Sequence, residues 1–169
     1  MKLFFLRHGL AGQHGDPKYK DDRLRPLTAQ GRDKMRRIAV GMLALGLKFN
    51  AIFSSPYLRA KQTAETVAQV YKLKKNKIHV TNNLLPPASL EQLLREIKKV
   101  VPVTASSVLL VGHDPHLTEM ISHLLKCSKP LSIDFKKGGL CSLSIQQGSG
   151  SSSAVLNWLL TPKQLTLMK

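Results

Sequence analysis

Short apolar runs alternate with longer segments of helical periodicity along most of the chain. Two of the runs, Lys2–Leu6 and Ser107–Val111, are apolar almost throughout, which is typical of strands buried on both faces of a parallel sheet. Two shorter runs, Ala51–Ser54 and Ile78–Val80, are predicted to be strands of the same kind. The polar segment 10–27 has no clear period, so we predict a long loop there, and loops of that length are usually functional.

Between these strands, apolar residues recur at intervals of three and four, which predicts helices. The first helix begins after Thr28, a suitable N-cap residue, and ends at Gly46. The second follows Ser55 and Pro56, which we interpret as its N-cap and its first residue. The segment Lys72–Lys77 ends this helix with cations, where the helix dipole favours them.

Two further helices are predicted in the second half of the chain. Ser89 and Gln92 have the spacing of a capping box, and the apolar periodicity continues from there to Ile97. Asp114 and Pro115 are expected to cap the fourth helix in the same way as Ser55 and Pro56 cap the second. The helices therefore separate the predicted strands, as in proteins with a parallel sheet.

The end of the chain has the period of antiparallel strands instead. Cys141, Leu143 and Ile145 alternate with other residues, and a turn of small residues at 148–153 leads into a returning strand, Ala154–Leu160. The whole pattern predicts an α/β fold, a three-layer α/β/α sandwich with a mostly parallel sheet and an antiparallel C-terminal hairpin. We expect all 169 residues to form one domain, because no repeat or linker divides the chain.

The composition adds a strong positive charge. Lysine and arginine number 26 against 10 acidic residues, which gives a net charge of +16. Such a field attracts polyanions. Aromatic residues make up only 5% of the chain, however, and do not alternate with arginines, so nucleic acid is not an expected partner. The apolar runs are too short to cross a membrane, and the first residues do not have the pattern of a signal peptide, so we expect a cytoplasmic protein.

Candidate functional residues follow three of the predicted strands. Arg7 and His8 come directly after the first strand, Arg59 lies just after the second, and His113 follows the strand that ends at Val111. Because ligands bind beyond the carboxyl ends of parallel strands, we expect these side chains at one edge of the sheet. Guanidinium groups neutralise phosphoryl oxygens while a neutral imidazole can attack phosphorus, so this set is suited to phosphoryl transfer. No residues have zinc-like spacing, and we expect neither a metal nor a cofactor.

The same residues belong to four motifs that occur in a defined order. They are Leu6–Gly9, Arg25–Thr28 with Gly31, Ser54–Ala60 with Gln62 and Thr63, and Val111–His113. Together they resemble the histidine phosphatase superfamily, whose fold is phosphoglycerate mutase-like. The short chain and the Arg25–Thr28 segment are most similar to the SixA-type phosphohistidine phosphatases. The resemblance extends from residue 1 to about residue 125 and weakens after that.

The resemblance implies a role for each residue of the set. His8 would be the nucleophile that becomes phosphohistidine, and Arg7, Arg59 and His113 would form the catalytic phosphate pocket. Arg25 would contact the substrate. Gly9 is expected to let the chain turn sharply after the nucleophile.

One segment departs from the pattern of the superfamily. Larger members protonate the leaving group with a carboxylate that follows the second helix, whereas Thr81–Pro87 contains none. A phosphohistidine leaving group can already carry a proton on nitrogen, so the absence favours phosphohistidine over phosphomonoesters. Asp16, Asp21 and Asp22 are expected to pair with nearby arginines, and Ser54 and Ser55 are expected to serve in capping and turn formation.

Three functions remain open from the sequence. The first is a phosphatase that acts on phosphohistidine in a signalling protein, such as a histidine-containing transfer domain. The second is a phosphatase of a small phosphorylated metabolite. The third is a non-catalytic module that binds phosphate or nucleic acid, which the complete set of Arg7, His8, Arg59 and His113 disfavours.

Overall fold

The computed structural model describes residues 1–102, 106–147 and 152–168. Within these ranges, six strands form one sheet in the order β3-β2-β4-β1-β5-β6. Strands β1 to β4 are mutually parallel, while β5 is antiparallel to both β1 and β6. The strands are β1 (Lys2–Arg7), β2 (Ala51–Ser54), β3 (Ile78–Val80), β4 (Ser107–Gly112), β5 (Leu140–Gln147) and β6 (Ser152–Leu160). The predicted mostly parallel sheet with an antiparallel C-terminal hairpin is confirmed.

Helices cover both faces of this sheet. They are α1 (Ala29–Ala44), α2 (Leu58–Val70), α3 (Leu90–Val100), α4 (His116–Leu124) and α5 (Pro162–Leu167). Helices α1, α2 and α5 share one apolar core with the sheet, and α3 and α4 share the other. The three-layer α/β/α arrangement is therefore confirmed. None of the helices in the described ranges has both the length and the apolar composition needed to cross a bilayer.

Helix α1 shows how the sequence pattern becomes structure. Its apolar stripe, which includes Met35 and Ile38, is fully buried, and the predicted N-cap Thr28 accepts a hydrogen bond from the Gly31 amide at 2.9 Å. A Cβ atom on Gly31 would lie 2.0 Å from the Leu10 carbonyl oxygen, so only glycine lets the helix start against this loop. The contact places the segment that carries Arg25 beside the end of β1.

Two predicted helix starts are wrong. Helix α2 begins at Leu58 and has Tyr57 as its N-cap without a side-chain cap bond, so Ser55 is not the cap. Helix α4 begins at His116, and the Asp114 carboxylate accepts a hydrogen bond from the Thr118 hydroxyl at 2.5 Å instead of capping the backbone. The predicted capping box at the start of α3 is confirmed.

Other boundaries also differ from the sequence-based prediction. Helix α2 ends at Val70, so the segment Lys72–Lys77 follows the last turn instead of belonging to it. Helix α5 was not predicted, although Thr161 and Gln164 form a capping box there. Residues 152 and 153 belong to β6, and the remainder of the predicted turn at 148–153 lies outside the described residues.

The parallel strands end at the same level, which sets the position of the functional residues. In the register of β1 and β4, Arg7 lies opposite Gly112, and the His8 amide donates to the Gly112 carbonyl at 3.0 Å. In the register of β2 and β4, Ser54 lies opposite Val111. The residues that follow β1, β2 and β4 therefore emerge side by side.

Candidate active site

Five residues predicted from the sequence meet in one cavity of about 380 Å³ at the carboxyl ends of the parallel strands. Arg7 and His8 reach it from the end of β1, Arg59 from the first turn of α2 and His113 from the end of β4, while Arg25 enters from the long loop. The cavity is also lined by Ala11, Gly12, Gln13, His14, Asp114 and Lys137. The fold therefore brings His8 and three arginines together in one cavity.

The protonation state of His8 follows from its surroundings. Its Nδ1 atom lies 2.7 Å from the Gly9 carbonyl oxygen, which can only accept, so Nδ1 carries the hydrogen and Nε2 carries the lone pair. Burial lowers the pKa of His8 to about 2, and the nearby charges of Arg59 and Arg7 act in the same direction. At neutral pH this imidazole is uncharged, with Nε2 free to act as a nucleophile.

Gly9 is required for close packing and not for a sharp turn of the backbone. It does not have a positive φ, so the expectation of a sharp turn that requires glycine is wrong. A Cβ atom at this position would lie 2.5 Å from Met35 Cγ and 3.3 Å from Leu27 Cδ2. Glycine is needed here because the chain packs directly against α1, and this packing holds the neighbouring His8 in place.

The Asp22 carboxylate links two of the arginines. It accepts from Arg25 Nε at 2.8 Å and lies 3.0 Å from Arg59 Nη2, while its backbone oxygen accepts from Arg59 Nη1 at 2.8 Å. Partial burial alone would raise the pKa of Asp22. The hydrogen bonds from His14 and Arg25 and the charge of Arg59 outweigh it and hold this pKa well below its usual range. Asp22 is therefore a permanent carboxylate that orients two guanidinium groups, as the expected pairing with arginines requires.

Two of the arginines retain unpaired donors. Arg7 Nη1 donates to the Phe135 carbonyl at 2.5 Å, but Arg7 Nε is buried without a partner among the described residues. Arg59 Nε is buried and unpaired in the same part of the chain. A buried donor without an acceptor costs roughly 1–3 kcal/mol, so these N–H groups are suited to donate to a bound anion.

His113 is held by Ser55, a residue whose sequence pattern indicates only helix capping and turn formation. The Ser55 hydroxyl lies 2.8 Å from His113 Nε2 and accepts from the Tyr57 amide at 3.3 Å. The hydroxyl can donate to Nε2 in the tautomer of His113 that carries its hydrogen on Nδ1. Nδ1 is buried and has no partner among the described residues.

The electrostatic surroundings keep this second histidine neutral as well. Burial, followed by the charge of Arg59, lowers the pKa of His113 to about 3. Its ring centre lies 5.1 Å from that of His8 and 5.0 Å from that of Tyr57. His113 is therefore held neutral in this site, and the positive charge comes from the arginines.

Comparison with known proteins bears on this arrangement directly. The model of the histidine phosphatase superfamily (branch 1) matches residues 3–84. An uncharacterised protein of Picosynechococcus sp. is 34% identical over 143 residues, which are 85% of this chain and 84% of that protein. This chain belongs to the histidine phosphatase superfamily.

Within the superfamily, the similarity includes SixA. The phosphohistidine phosphatase SixA of Escherichia coli K12 is 25% identical over 169 residues, which are 100% of this chain and 99% of that protein. A structure of the protein histidine phosphatase SixA complexed with tungstate has a TM-score of 0.81 at 26% identity and covers 98% of this chain and 99% of that one. A mycobacterial glucosyl-3-phosphoglycerate phosphatase is 18% identical with a TM-score of 0.71, over 92% of this chain and 96% of that one, and shares the fold. The chain is a phosphatase similar to SixA.

Several side chains in or near the cavity of this histidine phosphatase make contacts that the sequence pattern does not predict. The exposed side chain of His14 lines the cavity, and its Nδ1 lies 2.9 Å from the Asp22 carboxylate. Asp114 lines the cavity although it was expected to cap a helix. Lys137 lies far from every motif, so no pattern in the sequence pointed to it. Asp16 was expected to pair with an arginine, but it accepts from the Lys18 amide at 3.0 Å instead.

The described residues offer little for a metal. No group of three or more histidine, cysteine, aspartate or glutamate side chains within them is arranged to hold an ion. The charged groups that reach the cavity from the motifs are the guanidinium groups of Arg7, Arg25 and Arg59. The arrangement can therefore place three delocalised cations around the oxygens of one anion, next to an unprotonated imidazole nitrogen.

Proposed function

We propose that this phosphatase transfers the phosphoryl group of its substrate to Nε2 of His8 and that the substrate is phosphohistidine in a phosphorylated protein. The observation that carries the first half is the 2.7 Å hydrogen bond from His8 Nδ1 to the Gly9 carbonyl. It commits the ring to the tautomer whose other nitrogen has a lone pair. That nitrogen belongs to a ring that lines the cavity with three arginines.

The reaction that follows has two steps. The Nε2 lone pair of His8 forms a bond to phosphorus while the bond from phosphorus to the leaving group breaks, and a water molecule then attacks the phosphohistidine. As the bond from phosphorus to Nε2 breaks, its electron pair returns to Nε2, the proton of the water passes to solvent and phosphate leaves, so His8 is neutral again. Arg7, Arg25 and Arg59 would neutralise the phosphoryl oxygens in both steps, and His113 Nδ1 would donate a hydrogen bond to one of them.

Two observations support phosphohistidine as the substrate. The relatives SixA of E. coli and the SixA of the tungstate complex are named as phosphatases of phosphohistidine and of protein histidine. The segment Thr81–Pro87 contains no carboxylate, and the nearby Glu96 accepts hydrogen bonds from Thr81 at 2.6 Å and Asn83 at 2.7 Å. Glu96 is thus used to hold this segment and does not line the described cavity.

A second candidate function rests on Asp114. This carboxylate lines the cavity, and the bond to Thr118 engages one of its oxygens. A protonated Asp114 could supply the proton that an alcohol leaving group needs. A phosphatase of a small phosphorylated metabolite is the function that this observation favours.

Leaving-group dependence separates the two functions. We expect a phosphorylated histidine-containing transfer domain and an activated aryl phosphate to be cleaved roughly 10²–10⁴-fold faster than sugar phosphates, which is the usual size of general acid catalysis. Asp114→Asn should then change all three rates by similar, small factors. If Asp114→Asn slows sugar phosphates a hundredfold and spares the aryl phosphate, the metabolite phosphatase is the better assignment.

A further inference from the structure

A short segment before β5 forms one wall of the cavity. It is anchored to the end of β1, since the Gly138 amide donates to the Arg7 carbonyl at 3.0 Å and the Arg7 amide donates to the Gly139 carbonyl at 3.2 Å. The bond from Arg7 Nη1 to the Phe135 carbonyl adds a third connection. The side chain of Lys137 is presented between these anchors, just before a left-handed residue, Gly138, with φ of +83°. This lysine is therefore held beside Arg7 by backbone hydrogen bonds.

Lys137 and its neighbour Lys136 differ in exposure, in ion pairing and in position relative to the cavity. Lys136 has a side chain 59% exposed and lies 2.5 Å from the Asp134 carboxylate, outside the cavity. Lys137 is half-buried, lines the cavity and forms no ion pair with any residue that the structure describes. Because no carboxylate of the described residues pairs with Lys137, its ammonium group is available to an anion that enters the cavity.

The formal charges around the cavity favour a doubly charged anion. Arg7, Arg25, Arg59 and Lys137 contribute four positive charges, against Asp114 in the wall and the Asp22 carboxylate that joins two of the arginines. The net formal charge of +2 complements the two negative charges of a phosphoryl dianion. Burial, followed by the charges of the three arginines, lowers the pKa of Lys137, as expected for an ammonium group that crowds other cations.

We propose that Lys137 is a substrate-binding residue whose ammonium group contacts the phosphoryl oxygens beside Arg7. The inference rests on the proposed function, because it assumes that the phosphoryl group occupies this cavity. It assigns the segment before β5 to the active site, although this segment lies outside the four motifs. Lys136, one residue earlier, has no part in binding.

Binding of inorganic phosphate to the full-length protein tests the inference without any turnover. We expect Lys137→Met to weaken phosphate binding, measured by isothermal titration calorimetry, by about 10-fold or more, the effect of losing a hydrogen bond to a charged group. Lys136→Met should leave the dissociation constant within about twofold, because exposed ion pairs contribute little. Lys137→Arg should retain most of the affinity, and equal thermal midpoints would show that each variant is folded.

Three results would contradict the inference in distinguishable ways. If phosphate binds Lys137→Met and Lys136→Met equally well, Lys137 does not contact the anion. If Lys137→Met keeps its phosphate affinity but loses activity only on sugar phosphates, Lys137 is a proton donor to the leaving group. If the unmodified protein and its Arg59→Ala variant show the same negligible affinity, the cavity is not a phosphate site and the proposed function fails with it.

Discussion

The two ends of the parallel strands are both positive, but they hold their charge in opposite ways. At the carboxyl ends, Arg25 and Arg59 are only 7% and 6% exposed and are oriented by the Asp22 carboxylate. The amino ends of these strands carry a group of exposed lysines, which we call the lysine edge, and these lysines form no ion pair with any described residue. Its members are Lys48, Lys72, Lys74, Lys75, Lys77, Lys98 and Lys99.

The difference separates recognition from long-range attraction. A buried guanidinium group keeps one orientation because its donors are bonded, and it can match the oxygens of a single anion. An exposed ammonium group is hydrated and screened by salt within about 8–10 Å, so it contributes to the field of the protein without selecting a ligand. The net charge of +16 is therefore a poor guide to where chemistry takes place.

The largest effect should come from the nucleophile between the buried arginines. We expect His8→Ala to reduce turnover by at least about 10³-fold while the protein stays folded, since in the proposed reaction only this group forms the covalent bond. Acid quenching during turnover of a labelled substrate should trap phosphate on His8. His123→Ala, which removes an exposed histidine on α4, is the control and should be fully active. Label recovered on a serine or aspartate would disprove the assignment.

Removing one buried arginine should have the next largest effect. Arg59→Ala is expected to weaken vanadate binding by about 1.5–3 kcal/mol, the range for a hydrogen bond to a charged group. The matched substitution on the lysine edge, Lys74→Ala, should change it by less than about 0.5 kcal/mol. Equal losses of vanadate affinity in Arg59→Ala and Lys74→Ala would contradict the contrast between the carboxyl ends of the strands and the lysine edge.

Acid should destabilise the folded protein through His8 and His113. Because the pKa values of His8 and His113 are lowered to about 2 and 3 in the folded protein, the unfolded chain takes up protons first as the pH falls below about 6.5. The free energy of unfolding should then fall by up to about 1.4 kcal/mol per pH unit for His8, and by less for the more exposed His113. Urea unfolding at pH 7 and pH 5 checks this.

A substitution at His8 isolates its share of the pH effect. His8→Asn should lose less stability than the unmodified protein between pH 7 and pH 5, since the amide does not titrate. His123→Asn, at an exposed position, should behave like the unmodified protein. A slope that is identical in His8→Asn and in the unmodified protein would show that His8 is not held neutral by burial.

The hydrogen bond that orients His113 should have a smaller effect. Ser55→Ala is expected to lower kcat about 3- to 10-fold, because it removes a bond worth about 0.5–1.5 kcal/mol and allows His113 to change tautomer. The 15N chemical shifts of the His113 ring would report that change. Ser54→Ala is the control, since Ser54 is equally buried and donates only to the Ser55 carbonyl. An unchanged tautomer in Ser55→Ala would mean that another contact fixes the ring.

The smallest effect belongs to the lysine edge. Replacing Lys72, Lys74, Lys75 and Lys77 by glutamine should leave kcat unchanged and lower kcat/KM by less than about twofold at 0.15 M salt, where the field is screened. The difference should grow at low salt. A large loss of kcat at physiological salt would place part of the active site at the wrong end of the strands.

The sequence was a good guide wherever burial follows a regular period. The strands that precede His8 and His113 could be located because both are continuous apolar runs, and the end of a parallel strand determines where its next residue emerges. Arg59 could be placed for the same reason, at the start of a helix with a clear apolar stripe. The fold and four of the five residues of the site depend on these regular elements, whereas Arg25 comes from the loop at 10–27.

The remaining parts of the site depend on contacts between distant segments. Ser55 and Asp114 have the local pattern of helix caps, and the same side chains are engaged by His113 and Thr118 instead. Lys137 reaches the cavity because its segment is bonded to Arg7, more than a hundred residues earlier, and a local pattern cannot report such a bond. Helix α5 is a different case, since the capping box at Thr161 was readable in the sequence.

The pairing of Arg7 with Gly112 also determines where this chain can change in length. Successive residues of a strand point to opposite faces, so one residue inserted into β1 or β4 would turn every following side chain to the other side of the sheet. His8 would then point away from His113. In the loop at 10–27, Asp22 is bonded to Arg25 and Arg59, whereas Gly15, Pro17 and Lys18 are exposed. This exposed tip can therefore gain or lose residues while the two imidazoles keep their spacing.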